Sequence, residues 1–384
     1  MALSDGATVG AALRVGGAHV PIIGSARVYV CGITPYDTTH LGHAATFVWT
    51  DVAARVLHLT GAHVDVCRNV TDVDDHLLAE SRSRGVPWRS LATQQTYRFE
   101  RDASDLGIIR PAFEPRSHDY VDDVIGLALG LIARDAAYER DGSVFFRGEH
   151  VCETAGLDPT EAVIRLEEDS AHHDNPLNEV SQSPLDVAIW QRSSGDEPAW
   201  PSPWGEGRPG WHAECAAMAL STFGPTVDLH GGGADLDFPH HAYEAALAEA
   251  FTGVSPFARS WMHVGTVKSR GQKMAKSTGN LVFVHDLLQR WPAAAIRYLI
   301  LTRPWRADWE FEEDSLMEAT AHLDDMWSRA TNTVDSDSAR RQVVAALLDD
   351  IDASHALAIA REAGGQVLTE LIEFLGLRDT TTWY

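Results

Sequence analysis

The N-terminal hundred residues contain a short apolar run, an apolar helical pattern and an alternating stretch, in that order. The apolar run is Arg27–Cys31, the helical pattern extends from His40 to Leu59, and the alternating stretch is His63–Val70. These patterns predict strand, helix and strand, with Gly61 ending the helix. Over so short a distance they indicate a βαβ unit of a parallel sheet. Ligands of such sheets usually bind at the C-terminal ends of the strands.

The rest of the chain mixes helical and strand patterns and then becomes almost entirely helical. Polar, glycine-rich and proline-rich stretches separate the predicted elements. The elements are helices at 87–107 and 117–137, a hairpin at Ala137–Arg147, a polar loop from Glu167 to Pro184, a strand at Leu185–Trp190, a helix at 212–222, a strand at 226–230, a glycine-rich turn at 231–233, a helix at 239–252, a strand at Trp261–Val264, a polar loop at 268–280 and helices after Pro292. This order predicts a parallel α/β domain that is split by an insertion and followed by a helical unit.

The bulk composition narrows the class of function. Hydrophobic residues make up 45% and charged residues 22% of the 384 residues, as in ordinary globular proteins. The formal net charge is -24, and no run of lysine or arginine offers the basic surface that usually grips a nucleic-acid backbone. The apolar stretches are too short to cross a bilayer, and no basic region leads into an apolar run at the N-terminus. We therefore expect a cytoplasmic protein that binds neither nucleic acid nor membranes.

Two motifs offer the chemistry of phosphate binding. His40–His43 (HLGH) stands where a strand-end turn enters a helix, so two imidazoles and bare backbone lie beside the helix N-terminus. Lys273–Ser277 (KMAKS) lies in a glycine-flanked loop that can close over phosphates. Each motif alone has an ordinary alternative, namely incidental histidines and a solvated basic loop. Their order around a βαβ unit favours a site for a nucleoside triphosphate.

Four side chains form a candidate metal site. Cys31 ends the first predicted strand, Cys215 lies near the start of a predicted helix, and His240 and Glu244 lie four apart on one helix face. Thiolate, imidazole and carboxylate ligands favour zinc in tetrahedral geometry. The alternative is that the two cysteines are simply buried as small apolar residues, which is common for free cysteine. We interpret the other two cysteines of the chain, Cys67 and Cys152, in that way.

The stretch Asp228–Asp235 (DLHGGGAD) adds a weaker signal. Its glycines permit close approach of a ligand to the backbone, and Asp235 can accept hydrogen bonds from a ribose or an ammonium group. The alternative is an ordinary turn, since turns require glycine for several reasons.

Taken together, these motifs resemble the catalytic core of the class I cysteinyl-tRNA synthetases. The similar stretches are Cys31–Asp37 (CGITPYD), His40–His43, Asn69–Asp74 (NVTDVD), Gly207–Cys215 (GRPGWHAEC), Gly231–His241 and Lys273–Asn280. Within that superfamily the chain most resembles the mycothiol-pathway ligases, which join cysteine to the amine of glucosaminyl-inositol. Three stretches are more similar in sequence to the ligases than to the synthetases: Cys31–Asp37, Glu197–Gly205 (EPAWPSPWG) and Arg306–Asp308. The resemblance extends over about residues 20–375.

The resemblance implies an α/β fold with a class I synthetase-type Rossmann catalytic domain, an inserted α-rich segment and a helical C-terminal domain. The implied divisions are 1–108 for the first half of the catalytic domain, 109–184 for the inserted segment, 185–284 for its second half with the KMAKS loop, and 285–384 for the C-terminal domain. The working expectation for the oligomeric state is a monomer.

The resemblance also implies roles for individual residues. Zinc would be held by Cys31, Cys215 and His240, with Glu244 at the position of a fourth ligand in the synthetases. The ATP phosphates would be met by His40, His43, Lys273 and Lys276. The cysteinyl-adenylate pocket would be lined by Gly32, Ile33, Thr34, Thr46, Asn69, Val70, Thr71, Trp211, Gly233, Ala234, Asp235 and Val267.

The implied reaction has two steps. The carboxylate of L-cysteine attacks ATP, accompanied by Mg²⁺, to give cysteinyl-AMP, and a small amine then takes the cysteinyl group as an amide. Zinc would select sulfur over the oxygen of serine. The chain after Asn280, residues 281–384, looks too short for both a helical domain and an anticodon-reading module, and the acidic charge agrees. A small amine acceptor is therefore favoured, and the charging of tRNA or a carrier with cysteine is the alternative.

Three positions depart from the family pattern. Ala275 replaces a serine of the lysine loop, which removes one phosphate contact and predicts a modest effect. Glu244 occupies a position at which the ligases usually lack a ligand, so this zinc would have four protein ligands. Glu168–Pro176 (EDSAHHDNP) replaces a Glu-Arg-Gly-Gly-Asp-Pro stretch of the ligases. This last departure leaves the acceptor open, and another small-amine pathway stays possible.

Overall fold

The computed structural model describes residue 3 and residues 12–37, 39–168, 180–274, 278–331 and 335–378. Lys276 and its neighbours Ala275 and Ser277, as well as residues 169–179 of the predicted polar loop, lie outside the described residues. Among the described helices, none is both long enough and apolar enough to span a bilayer.

Strands and helices are interspersed as far as residue 310, and the described elements after it are helices. The strands are β1 (Arg14–Val15), β2 (Ala18–His19), β3 (Ser25–Ile33), β4 (His63–Val70), β5 (Ala137–Arg140), β6 (Ser143–Phe146), β7 (Val187–Arg192), β8 (Gly207–Pro209), β9 (Leu229–Gly233), β10 (Trp261–Val264), β11 (Val267–Ser269), β12 (Gln272–Lys273) and β13 (Trp309–Glu310). The helices are α1 (Leu41–Leu59), α2 (Asp75–Arg84), α3 (Trp88–Asp105), α4 (Val121–Ala133), α5 (Glu149–Thr154), α6 (Pro159–Glu168), α7 (Trp211–Phe223), α8 (Ala242–Thr252), α9 (Val284–Leu288), α10 (Ala293–Leu301), α11 (Asp314–Ala330), α12 (Asp337–Leu348), α13 (Ala353–Ala363) and α14 (Gly365–Phe374).

A four-stranded parallel sheet forms the centre of the molecule, in the order β10-β9-β3-β4. The predicted βαβ unit is confirmed, because β3 pairs with β4 and α1 connects them. The chain then returns to the other side of β3 to form β9. The strand order therefore reverses between β3 and β9, and ligands of open α/β sheets bind at such a switch point.

The two faces of this sheet have different coverings because successive side chains of a strand point to opposite faces. Val28 and Val30 of β3 pack in the large core that also contains residues of α1 and of α10 to α14. Tyr29 and Cys31 pack on the other face, in a smaller core with residues of α7 and α8. The alternation thus turns Cys31 towards α7 and α8.

The segment between the halves of the parallel sheet contains a second sheet. This sheet is antiparallel, in the order β5-β6-β7-β8, and packs with α4 and α7 in a core of its own. The strand expected at Leu185–Trp190 is present as β7, and it pairs with β6 of the inserted hairpin rather than with the parallel sheet. The division of the chain at residues 184 and 185 stays a prediction.

One buried arginine connects the C-terminal helices to α1. Arg297 of α10 is fully buried and donates hydrogen bonds to the carboxylate of Asp51 and to the carbonyls of Leu106 and Leu375. A guanidinium with several partners inside a core specifies one relative position of the packed helices. Since α1 begins at the predicted phosphate motif, His40–His43, this contact fixes that motif relative to the helical unit.

Candidate active site

Cys31, Cys215, His240 and Glu244 come together at the C-terminal end of β3. All four are buried, and one donor atom from each lies within 4.8 Å of the others. The sulfur of Cys31 is 3.9 Å from the sulfur of Cys215 and 3.6 Å from Oε2 of Glu244. Two sulfurs, an imidazole and a carboxylate are a donor set that suits zinc.

The local structure explains how four residues that are far apart in the sequence meet at one point. Cys31 is the seventh residue of β3, and Cys215 lies in the second turn of α7. His240 lies in a kinked segment, Asp237–His241, in which the backbone of Phe238 is extended; this segment leads directly into α8, where Glu244 stands in the first turn.

Further side chains hold this cluster in place. Asn69 at the end of β4 donates from Nδ2 to the sulfur of Cys215 at 3.4 Å and to Oγ1 of Thr71 at 3.0 Å. The ring of Trp211 stacks on that of His240, with centroids 4.1 Å apart. Nδ1 of His240 lies 3.0 Å from Nδ1 of His212. The cluster is therefore supported from β4, from α7 and from the segment before α8.

The protonation of the two thiols follows from their contact. A hydrogen bond from Cys31 and the nearby His240 lower the pKa of Cys215 to about 6 against the opposing effect of burial. Burial and the neighbouring Cys215 raise the pKa of the Cys31 thiol well above its ordinary value. Two sulfurs this close share one proton more easily than they release two, which is the usual behaviour of coupled groups.

Two further histidines in this cluster were missed by the sequence analysis as donors. Cys31 and Glu244 also lie within 4.8 Å of donor atoms of His230 and His241. Nε2 of His230 is 3.0 Å from Oε1 of Glu244, and Nδ1 of His241 is 2.9 Å from Nε2 of His263. Because this grouping shares Cys31 and Glu244 with the first, only one of the two can hold an ion at a time. The first contains both sulfurs and is the better zinc site.

Parallel pairing places His230 and His263 on the same face of the sheet, next to each other. His230 of β9 is in register with Tyr29 of β3 and Trp261 of β10, and His263 is in register with Gly232. The signals in the sequence are the His240-His241 dipeptide and the histidine that precedes the glycine triplet. Burial and the neighbouring histidines lower the pKa of His241 well below its ordinary value.

The histidine pair of the phosphate motif begins α1. Nδ1 of His40 caps the helix by accepting a hydrogen bond from the Gly42 amide at 3.1 Å, and its ring stacks on that of His43 with centroids 3.8 Å apart. A Cβ atom at position 42 would lie 2.9 Å from the His40 ring, so a larger residue there would displace the ring that forms this cap. Burial chiefly lowers the pKa of His40 to about 2 and that of His43 to about 4. Both rings are therefore neutral near pH 7.

The lysine loop reaches the same end of the sheet. Nζ of Lys273 lies 2.7 Å from Oδ2 of Asp235, just beyond the end of β9. A Cβ atom built on Gly233 would lie 3.9 Å from Oγ1 of Thr46, which places α1 against this turn. Val267 is buried in β11, the strand that leads to Lys273. The predicted site residue Lys276 lies outside the described residues.

The ends of β3 and β4 approach each other unusually closely. The Gly32 amide donates to Oδ1 of Asn69 at 2.8 Å, and a Cβ atom at position 32 would lie 1.6 Å from the Asn69 carbonyl oxygen. The Thr71 amide donates to the carbonyl of Ile33 at 2.9 Å, and Ile33 is in register with Val70. The residues predicted to line the adenylate pocket lie at or just beyond the C-terminal ends of the strands, on the N-terminal turns of α1 and α7, or in β11: Gly32, Ile33, Thr34, Thr46, Asn69, Val70, Thr71, Trp211, Gly233, Ala234, Asp235 and Val267.

Comparisons with known proteins agree with this architecture. The family model described as tRNA synthetases class I (C) catalytic domain matches residues 21–321. The L-cysteine:1D-myo-inositol 2-amino-2-deoxy-alpha-D-glucopyranoside ligase of Acidothermus cellulolyticus is 41% identical over 347 residues, which are 88% of this chain and 84% of the relative. The cysteine--tRNA ligase of Marinobacter nauticus is 35% identical over 353 residues, 90% of this chain and 75% of that protein.

A solved structure shows the same fold at much lower identity. Mycobacterium tuberculosis methionyl-tRNA synthetase bound by methionyl-adenylate superposes with a TM-score of 0.66 and 16% identity, covering 92% of this chain and 84% of that one. The predicted class I synthetase-type fold is thereby confirmed.

Proposed function

The chain belongs to the family of class I (C) tRNA synthetase catalytic domains, and from this premise we propose that it is an ATP-dependent ligase that activates L-cysteine as cysteinyl-AMP. The cysteinyl group then passes to the amine of glucosaminyl-inositol or of a related small molecule. The observation that carries the proposal is the meeting of Cys31, Cys215, His240 and Glu244 beside the phosphate motif of a class I sheet. Relatives whose names specify this acceptor support it at 39–41% identity.

The cysteine side chain is bound at the four-residue cluster. Zinc held by Cys31, Cys215, His240 and Glu244 would supply a Lewis-acidic centre that binds the substrate sulfur as a thiolate and rejects the hydroxyl of serine. The buried donors fit this ion, because their atoms lie within 4.8 Å of one another. The indole of Trp211 closes the adjacent side by its stacking on His240.

ATP is bound at the N-terminus of α1. His40 and His43 are neutral and offer N–H donors to phosphate oxygens, next to the positive end of the helix dipole. Lys273 and Lys276 add positive charge as pyrophosphate departs, with Mg²⁺ accompanying the nucleotide. The 2.7 Å ion pair between Lys273 and Asp235 anchors the base of the lysine loop beside the adenylate pocket.

A cysteinyl-tRNA synthetase-like activity is the second candidate, because several relatives carry that name at 35–39% identity. Glu244 favours it too, since this position resembles the synthetases. The net charge of -24 favours the small acceptor, because tRNA binding depends on neutralising phosphates.

Two assays separate the candidates. Cysteine-dependent exchange of pyrophosphate into ATP measures activation, and mass spectrometry of a reaction with cysteine, ATP and glucosaminyl-inositol detects the amide. We expect exchange with cysteine but not with serine, and an amide that requires ATP. Salt-sensitive tRNA binding in a gel shift, with cysteine esterified to tRNA and no amide, would establish the second candidate instead.

A matched pair of cysteine variants tests the role of the cluster. Cys215→Ala removes a donor, whereas Cys67→Ala changes a cysteine that packs in the same core outside the cluster. We expect zinc content and exchange to be lost in the first variant and retained in the second. Exchange retained by Cys215→Ala would contradict the assignment.

A further inference from the structure

His118 and Asp72 form an ordered pair at the end of β4. Oδ2 of Asp72 lies 2.6 Å from Nδ1 of His118, and Oδ1 accepts a hydrogen bond from the His118 amide at 3.1 Å. The carboxylate is 2% exposed, whereas the imidazole is 23% exposed. Both oxygens of one buried carboxylate thus hold one half-buried histidine, with its Nε2 on the far side of the ring.

Two separate series of contacts connect this pair to the proposed cysteine site. Asp72 follows Thr71, whose hydroxyl accepts a hydrogen bond from the same Asn69 amide that reaches the sulfur of Cys215. His118 follows Ser117, whose hydroxyl donates to Glu214 at 2.9 Å, and Glu214 precedes Cys215. Each member of the pair is therefore connected to Cys215 through its preceding residue and one further side chain, Asn69 in the first case and Glu214 in the second.

Two tryptophans stand next to the pair. The ring of Trp88, at the start of α3, meets His118 edge-on at 6.3 Å and Trp200 edge-on at 6.5 Å. Trp200 is held by two backbone hydrogen bonds to Gly207. Arg208, which is 8% exposed, ties the same loop to α2 through Asp75 at 2.8 Å. The two indole rings therefore form an aromatic wall whose position is fixed by these contacts.

The wall has the composition of a small-molecule site. Half-buried aromatic rings with a few fixed polar groups are typical of ligand pockets, and indoles pack against the apolar faces of ring compounds.

We propose that Trp88, Trp200, His118 and Asp72 form the acceptor subsite, and that His118 is the base that takes the proton of the acceptor's ammonium group. This inference rests on the proposed small-amine ligase function. Asp72 is the positioning residue, because its contact with Nδ1 leaves Nε2 of His118 as the proton acceptor. Asp119, whose Oδ1 lies 3.4 Å from that Nε2, is a second carboxylate beside the ring and attracts the incoming ammonium.

The transfer step balances with these groups. The ammonium gives one proton to Nε2 of His118, and the freed nitrogen forms a bond to the carbonyl carbon of the adenylate. The bond between that carbon and the phosphate oxygen breaks, and its electron pair leaves with AMP. The second proton shed by the nitrogen leaves on the AMP phosphate. No other reactant is needed.

The test measures the two half-reactions of His118→Gln separately, with His150→Ala as the control at an exposed histidine. We expect His118→Gln to retain cysteine-dependent pyrophosphate exchange while single-turnover transfer to glucosaminyl-inositol falls by about 10²- to 10⁴-fold. Asp72→Asn should show a smaller loss of the same kind. Transfer at the wild-type rate in His118→Gln would overturn the inference, and absent exchange in the wild type would overturn the proposed function instead.

A second amine separates a base from a merely structural residue. Hydroxylamine is weakly basic and largely unprotonated at neutral pH, so its reaction with bound cysteinyl-AMP has little need of a base. We expect the defect of His118→Gln to shrink at least tenfold with hydroxylamine. An equal defect with both amines would show that His118 only supports the fold. If the wild type activates cysteine but ignores glucosaminyl-inositol, glucosamine replaces it in the same comparison.

Discussion

Glutamine in place of Glu244 should weaken metal binding without disturbing the fold. The Glu244 side chain is fully buried, with Oε1 3.0 Å from Nε2 of His230 and Oε2 3.6 Å from the sulfur of Cys31. Glutamine has nearly the same shape and can keep the contact with His230. The substitution therefore removes one negative charge beside Cys31 and little else.

The magnitude follows from the position of the carboxylate. Removing a group that merely contacts a metal ligand typically costs about 10- to 100-fold in metal affinity, and a direct ligand costs at least as much. In free energy this is roughly 1.4–2.8 kcal/mol. In the absence of metal the substitution has the opposite effect on stability, because a buried carboxylate with no cation destabilises the fold. The Glu244→Gln variant should thus be more stable than the wild type in chelator and less stabilised by zinc.

Urea unfolding in the presence of a chelator or of excess zinc measures both parts, and competition with a chromophoric chelator gives the zinc affinity. Glu249→Gln is the matched control, because it lies on the same helix and accepts a hydrogen bond from the Phe257 amide, outside the cluster. Equal zinc affinities of the wild type and Glu244→Gln would refute the assignment of Glu244 as a ligand.

Three further changes test other parts of the site. Gly32→Ala should lower the free energy of unfolding by about 3 kcal/mol, since its Cβ would lie 1.6 Å from the Asn69 carbonyl oxygen; an unchanged urea midpoint would contradict this. Lys273→Ala should reduce pyrophosphate exchange by about 10²-fold, while loss of its half-exposed ion pair with Asp235 changes stability by at most about 1 kcal/mol; a large loss of stability would indicate a structural role. Burial lowers the pKa of His43 from 6.5 to about 4, so the unfolded chain binds a proton more readily than the folded protein does. The free energy of unfolding should therefore fall as the pH drops from about 6.5 to about 4. If a His43→Gln variant shows the same pH dependence of this free energy in urea titrations, His43 is excluded as its cause.

Much of the fold could be predicted because local patterns determine it. The parallel strands β3 and β4 and the helix α1 between them follow from apolar spacing and from Gly61, and the structure has all three. The glycine triplet was expected as a turn but continues β9. Strand pairing with β3 and β10 supplies hydrogen-bond partners for this backbone, and a local pattern cannot reveal such partners.

The site was less accessible to sequence reasoning, because its histidines meet through pairing register. His230 and His263 reach one row only because β9 lies between β3 and β10 with a particular alignment. A shift of one residue would turn these side chains to the opposite face. The four sulfur, imidazole and carboxylate donors were expected together on the strength of resemblance and ligand chemistry rather than of geometry. The strand pattern alone likewise did not indicate that β7 pairs with β6 of the inserted hairpin.

A single asparagine connects the choice of amino acid with the proposed transfer step. The side chain of Asn69 accepts a hydrogen bond from the Gly32 amide of β3. It also donates hydrogen bonds to the sulfur of Cys215 and to the hydroxyl of Thr71, the residue that precedes Asp72. Since the side chain is fully buried, these three contacts fix its orientation together. A change that displaces Asn69 must therefore alter both the sulfur site and the loop that carries Asp72. The proposed selection of sulfur and the proposed delivery of the acceptor amine would thus depend on the same turn at the end of β4.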